Sequence, residues 1–208
     1  MLTQNWARET LPPSPINPLS SYQVHSSMTP HPSAASSLDT PEQAPDFDPK
    51  DFRNALGHFG TGVTVVTTAD PSGKLYGVTV SSFNSVSLTP PLVLWSQVRG
   101  APSHHAFLNS PYFVVNILAE NQKEISNHFA KSSADKFKNI AHHLSPEGIP
   151  ILEGTLGHFV CKKERDVDGG DHLIFIGQVL RYSYNTDEHM APLFFWNGKY
   201  HHVTEHGD

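Results

Sequence analysis

Two rhythms of apolar and polar positions organise the chain from Asp46 onward. In DPKDFRNALGHF, Phe52, Leu56 and Phe59 recur at helical spacing. Asp48 stands before Pro49 as N-cap and first helical residue, and Gly57 and Gly60 end the run. The rhythm then shortens. GVTVVTTAD (62–70) is rich in β-branched residues and predicts a strand, with DPSGK (70–74) as its turn. LYGVTVSSFNSVSL (75–88) reads as one returning strand, so the two predict a hairpin. PLVLWSQ (91–97) predicts a third strand, APSHHAFLNS (101–110) a short helix, and YFVVNIL (112–118) a strand buried on both faces. AENQKEISNHFAK (119–131) carries Ile125 and Phe129 one turn apart and predicts a helix, whereas DKFKNIAHHLSPEGIPIL (135–152) predicts mostly loop. TLGHFVCKKERDV (155–167) and DHLIFIGQVLRYSY (171–184) predict two long strands joined by Asp168-Gly169-Gly170. PLFFWNGKYHHV (192–203) predicts a strand pair around Asn197-Gly198.

Hairpin rather than βαβ connections dominate this series. It therefore predicts a mainly β fold, an antiparallel β-barrel with two or three peripheral helices. Residues 1–45 depart from it. They hold eight of the 17 prolines and eight serines, with almost no apolar period, too little to offset the entropy of ordering. The expectation is a disordered Pro/Ser-rich tail over 1–45 and one domain over 46–208. Arg8 is the tail's only basic residue apart from histidine, and the tail lacks an apolar segment, so it makes a poor transit or secretory signal.

Composition narrows the partners. The 208 residues are 38% hydrophobic, enough for one domain with a real core. A net charge of −6 with 14 scattered Lys and Arg argues against nucleic-acid binding. The tightest basic cluster, Lys162, Lys163 and Arg165, reads as a solvated strand end. The single cysteine, Cys161, excludes an intramolecular disulfide and a Cys-based zinc site, and it fits a reducing, cytoplasmic setting. It reads as a strand residue rather than a nucleophile. No apolar run approaches the ~20 residues of a membrane span. Among 14 histidines, His104-His105, His142-His143 and His201-His202 are adjacent pairs, which on a strand face opposite ways, so no metal is expected.

Common nucleotide and nucleophile motifs are missing. GHFGTG (57–62) precedes a strand where a dinucleotide fingerprint would open a helix, and no GxSxG occurs. GVTVSSFNSVS (77–87) offers another device. Val78 and Val80 can face a core while Thr79 and Ser81 face the other way. The small polar residues Ser82, Asn84 and Ser85 leave backbone N–H groups open to a flat ring or a phosphate. By composition alone the same segment also suits a solvent-facing edge strand.

Four ordered stretches carry a resemblance: FGTGVTVVTT (59–68), GVTVSSFNSVSLTPPLVL (77–94), FVVNILAENQKEISNHFA (113–130) and GGDHLIFIGQV (169–179). Over residues 51–203 the chain resembles the flavin reductase family with a split-barrel, FMN-binding fold. Within it, the chain looks like the reductase components of two-component aromatic hydroxylases of the 4-hydroxyphenylacetate 3-monooxygenase type. The resemblance implies that Thr79, Val80, Ser81 and Ser82 lie along the isoalloxazine and ribityl chain. It implies that Ser96 and Gln97 lie near the phosphate, with Ser103 at the start of the next helix, and that backbone of Val115, Asn116 and Ile117 meets the pyrimidine edge. His172 in GGDH falls at the nicotinamide side, positioning rather than acting as a base. Asp171 either orients it or caps the turn, the latter being the simpler reading. Arg99, Ser103, His104 and His105 are the candidates for the phosphate.

The function implied is NAD(P)H-dependent hydride transfer to FMN or FAD, with NADH or NADPH as donor. Reduced flavin would leave for a partner monooxygenase, and a homodimer would complete the site. Phe194, Phe195, Trp196 and Tyr200 are either the exposed aromatics of that dimer or core. The alternative is a flavin-binding electron carrier without nicotinamide chemistry, from which GGDH (169–172) distinguishes the reductase.

Overall fold

The structure is a computed structural model that describes residues 46–204 other than 134, so the expectation for residues 1–45 lies outside the described residues. Helix α1 (Pro49–Gly57) starts as its sequence predicts. The Asp48 carboxylate accepts from the amides of Lys50 at 2.7 Å and Asp51 at 3.2 Å, donors that a first helical turn leaves open. There follow β1 (Thr61–Gly62), β2 (Thr64–Ala69), β3 (Leu75–Val80), β4 (Asn84–Leu88), β5 (Pro91–Val98), α2 (His104–Asn109) and β6 (Tyr112–Ile117). A 3-10 turn (Glu120–Gln122) leads into α3 (Lys123–Ala130), β7 (His142–Leu144) and β8 (Pro150–Leu152). The long pair β9 (Gly157–Gly169) and β10 (His172–Tyr184) and the short pair β11 (Phe194–Trp196) and β12 (Lys199–His201) complete the series.

One antiparallel seven-stranded sheet dominates, in the order β3-β2-β6-β9-β10-β5-β4. Its two faces bury different cores because side chains alternate along each strand. Val66, Trp95, Phe113, Val115, Cys161 and Phe175, from five strands, share one cluster, with Val78 and Val80 packed against it. Residues of β3, at one edge, and of β5, one strand in from the other edge, thus meet in one core, which requires the sheet to curl around it in the manner of a split barrel. Val65, Leu118, Phe129 and Leu193 form the second cluster on the other face, with α3 laid over it. Tyr112–Ile117 is buried on both faces, as its apolar run predicts.

One expectation needs correction. LYGVTVSSFNSVSL is not one strand. It breaks at Ser81–Phe83, and β3 pairs with β2 while β4 pairs with β5 at the opposite sheet edge. The hydroxyl of Ser82 fixes the crossing: it donates to Ser96 O at 2.9 Å and accepts from Ser96 N at 3.0 Å. Within 135–152, mostly loop as its sequence predicts, β7 and β8 add a short hairpin, because Ile149, Ile151 and Leu152 bury against the sheet. The aromatics of 194–200 are mostly packing residues. Phe195 and Tyr200 pack on the second cluster, and Trp196 alone is substantially exposed. Among the described residues, no helix is long and apolar enough to cross a membrane.

Candidate functional site

β4 covers only the first half of β5, from Pro91 to Leu94. Beyond it, Ser96–Val98 of β5 face the end of β3 across a gap that the sheet curvature narrows but no ladder fills. The result is a groove of about 280 Å³ lined by Val78, Thr79, Val80, Ser81, Ser82, Ser96, Gln97, Val98, Ala101 and His172. Seven of the eleven site residues expected from sequence meet here: Thr79, Val80, Ser81, Ser82, Ser96, Gln97 and His172. Val98 and Ala101 join them. Neither carries a chemical signal in the sequence, and only the register Val98↔His172 brings them in.

The groove presents backbone more than side chains. Lys136 Nζ donates to Gly77 O at 3.0 Å, so the polar groups of Gly77 turn away from β2. By the alternation of an antiparallel edge, those of Thr79 do too. Across the gap, Ser96 N and O point outward to Ser82, and Arg99 N points inward to Asp171 O at 3.0 Å. The Val98 amide therefore shares the outward direction of Ser96. Meanwhile the hydroxyl of Thr79 donates to Ser126 O at 2.7 Å, which ties β3 to α3. The hydroxyls of Thr79 and Ser82 hold the walls, and Ser81 is the exposed one at the rim.

At the other end stands His172. Its Nδ1–H donates to Asp171 Oδ1 at 2.7 Å, so Asp171 orients the imidazole and is more than a turn cap. This hydrogen bond and the adjacent imidazole hold the Asp171 carboxyl below the usual carboxylate range. In the tautomer that donates from Nδ1, Nε2 is left as an acceptor. Arg99 is engaged nearby: its guanidinium pairs with Asp168, and Nε donates to Gly170 O at 3.4 Å. That ion pair fastens the β9–β10 turn, where Gly170 has φ +70°, to the end of β5.

Four expected residues are not brought to the groove. β6 is an inner strand, paired with β2 through Val66↔Val115 and with β9 through Val115↔Phe159. Backbone polar groups of Val115, Asn116 and Ile117 are therefore spent in two ladders. The fully buried Asn116 side chain donates to Val65 O at 3.0 Å and accepts from Leu152 N at 2.9 Å, a tie between sheet and hairpin. Ser103 is also buried, and its Oγ accepts from Gln97 Nε2 at 2.9 Å. The Gln97 side chain thus turns inward, and its main chain, directed like that of Arg99, faces Leu173 of β10, so the polar groups of Gln97 are spent in the structure. Helix α2 is a mere six residues, and its first amide, His104 N–H, is taken by Ala101 O at 2.9 Å. His104 is held neutral: burial and the nearby Arg99 charge push its pKa down. The SQVRGAPSHH segment is therefore largely occupied with structure. Lys163, read as solvated, instead donates to Phe107 O at 3.3 Å and to Leu108 O, closing the end of α2.

A flavin fits this groove on the chemistry of its lining. Apolar Val78, Val80 and Val98 suit a flat ring, open amides suit its heteroatoms, and no side chain of the groove carries a fixed negative charge.

Residues 56–204 match the model of the flavin reductase like domain. The FMN reductase (NADH) SmoA of Agrobacterium fabrum is 41% identical over 151 residues, 73% of this chain and 84% of that protein. HsaB of Rhodococcus jostii, the reductase subunit of a flavin-dependent monooxygenase, is 42% identical over 153 residues, 74% of this chain and 77% of its own. The reductase component of the trigonelline monooxygenase of Acinetobacter baylyi is longer: a match at 40% identity covers 73% of this chain and 48% of that one. Among solved structures, the NADH:FAD oxidoreductase SgcE6 of Streptomyces globisporus, in complex with NAD and FAD fragments, superposes with a TM-score of 0.72. It is 36% identical over 79% of this chain and all (100%) of its own. Sequence and fold agree over the same residues that build the groove, and the chain belongs to the flavin reductase family.

Proposed function

We propose that the protein reduces flavin with NAD(P)H and supplies the reduced flavin to a partner flavin-dependent monooxygenase. The observation that carries this reading is one groove with a backbone-lined wall at β3 and an oriented His172 at its far end. The names of similar proteins support it, since they include an FMN reductase (NADH), an NADH:FAD oxidoreductase and monooxygenase reductase components. Bound flavin would supply the hydride-accepting centre, and the nicotinamide the hydride.

The chain's own residues bind and align. The outward amides of Thr79 and Val98 hold the ring edge, Ser81 closes the rim, and Val78 and Val80 exclude water from one face. His172, fixed by Asp171, presents Nε2 to the nicotinamide carboxamide and so aligns the donor; alignment is the dominant requirement of such a transfer. The open rim suits a flavin that must leave after reduction.

A homodimer belongs to the same proposal. Its support lies on α1, which buries none of its residues and leaves Phe52 51% and Leu56 59% exposed. A second copy would cover that face. A reducing, cytoplasmic setting is supported by the single buried thiol.

The test is a steady-state assay of the purified protein with NADH or NADPH and with FMN or FAD. Flavin-dependent loss of reduced nicotinamide is expected. Its absence in all four combinations would sink the reductase and leave a flavin carrier.

A further inference from the structure

The groove wall at Thr79 is held from behind. Its main chain faces the groove, while its hydroxyl donates to Ser126 O of α3 at 2.7 Å. Ser126 is fully buried. A buried serine inside a helix is a poor helix former, and its hydroxyl needs a partner. That partner is Tyr200 Oη, at 2.9 Å. Tyr200 in turn donates to Asn127 Oδ1 at 3.1 Å. A phenol has one proton to give, so the Ser126 hydroxyl donates to Tyr200, and the chain runs from Ser126 through Tyr200 to Asn127.

Tyr200 reaches α3 from outside the main sheet, because β12 belongs to the separate sheet β1-β11-β12. Its ring centre lies 5.3 Å from that of Phe195, and Lys123 Nζ stands 5.7 Å from it on the α3 side. Tyr200 thus braces α3 at Lys123, Ser126 and Asn127, about one turn of helix. The brace matters for β3 because β3 is a sheet edge with a single ladder partner, β2. The direction in which Thr79 presents its main chain therefore depends on what holds its side chain. A second tie, from Lys136 Nζ to Gly77 O at 3.0 Å and Phe129 O at 2.8 Å, secures the strand two residues upstream.

We propose that Tyr200 is a positioning residue for flavin binding: through Ser126 it fixes α3, and through α3 the Thr79 wall of the groove. Tyr200 does not line the groove and acts only through this chain of contacts. The proposal rests on the flavin reading of the groove.

Tyr200→Phe removes the hydroxyl and keeps the ring. Fluorescence titration of the full chain with FMN should show affinity lowered about threefold to tenfold, the range that one lost hydrogen bond commands. In steady state the KM for flavin should rise in parallel. The KM for the nicotinamide nucleotide should hold, because His172 is fixed by Asp171 instead. Ile151→Val, in the third core cluster, is the control for lost stability: it should lower the melting temperature without moving FMN affinity. Thr79→Val keeps the branched shape and loses the donation to Ser126. It should weaken FMN to a similar extent, and the double variant with Tyr200→Phe should be little weaker than either single one. Unchanged FMN affinity in Tyr200→Phe would make Tyr200 a packing residue and overturn the proposal. Additive losses in the double variant would overturn it too, since the two residues would then act independently. Failure of the flavin reading would look different. The wild type would bind no FMN, while amide exchange at Val78 and Val80, laddered to β2, would still quicken in Tyr200→Phe.

Discussion

The imidazole of His172 is exposed on one side and held by a carboxylate on the other, an arrangement suited to aligning a donor. His172→Ala should lower kcat/KM for the nicotinamide nucleotide by about a hundredfold, the scale on which misalignment costs hydride transfer. Flavin affinity, measured by fluorescence quenching, should stay nearly unchanged. A full loss of flavin binding instead would make His172 part of the flavin wall. Asp171→Ala should give a smaller loss of the same kind and Asp171→Asn a smaller one still, since an amide oxygen can still accept from Nδ1–H. Cys161 answers a different question. Burial in the first core pushes its thiol up to about 12, so it stays protonated and shielded at any ordinary pH. A thiol reagent should label no cysteine in the native protein and one after denaturation; rapid native labelling would contradict the buried placement.

At the scale of elements, the groove exists because β3 and β5 approach without pairing. Ser82 is the clamp, with both of its hydrogen bonds made to the main chain of Ser96. Ser82→Ala leaves those groups without their partner and should cost about 1–2 kcal/mol by denaturant unfolding. Flavin affinity should fall alongside, because the gap would widen. Gly77 sets the other wall. A Cβ there would stand 2.6 Å from the ring of Phe129, the fully buried residue by which α3 packs on β3. Gly77→Ala should therefore destabilise the fold by about 1–3 kcal/mol and shift α3 outward, visible as faster amide exchange along Lys123–Ala130.

For the whole molecule, the titrating groups predict an acid-sensitive fold. His104 and His158 are pushed down chiefly by burial, so the native state favours their neutral forms. As pH falls through ~6.5 the unfolded chain takes up these protons first, and stability drops. Asp70 and Asp171 add to the loss at lower pH, because hydrogen bonds in the fold favour their ionised forms. Melting temperature should decline from pH 7 to pH 5 and then more steeply below about pH 4. Replacing His104 and His158 with Asn should flatten the first part of that decline and spare the second. A pH-independent melting temperature over the whole range would refute the assignment.

Local chemistry determined much of this protein. β-branched and apolar runs specify strands whatever the fold around them, and Asp48-Pro49 specifies a helix start through groups a few residues away. The order of short motifs determined the family. Tertiary structure alone decided where one apparent strand became two, since Ser81–Phe83 differ from their neighbours only in which sheet edge they leave and which they join. It also decided that Asn116 holds the interior together: its partners Val65 and Leu152 lie tens of residues away in sequence.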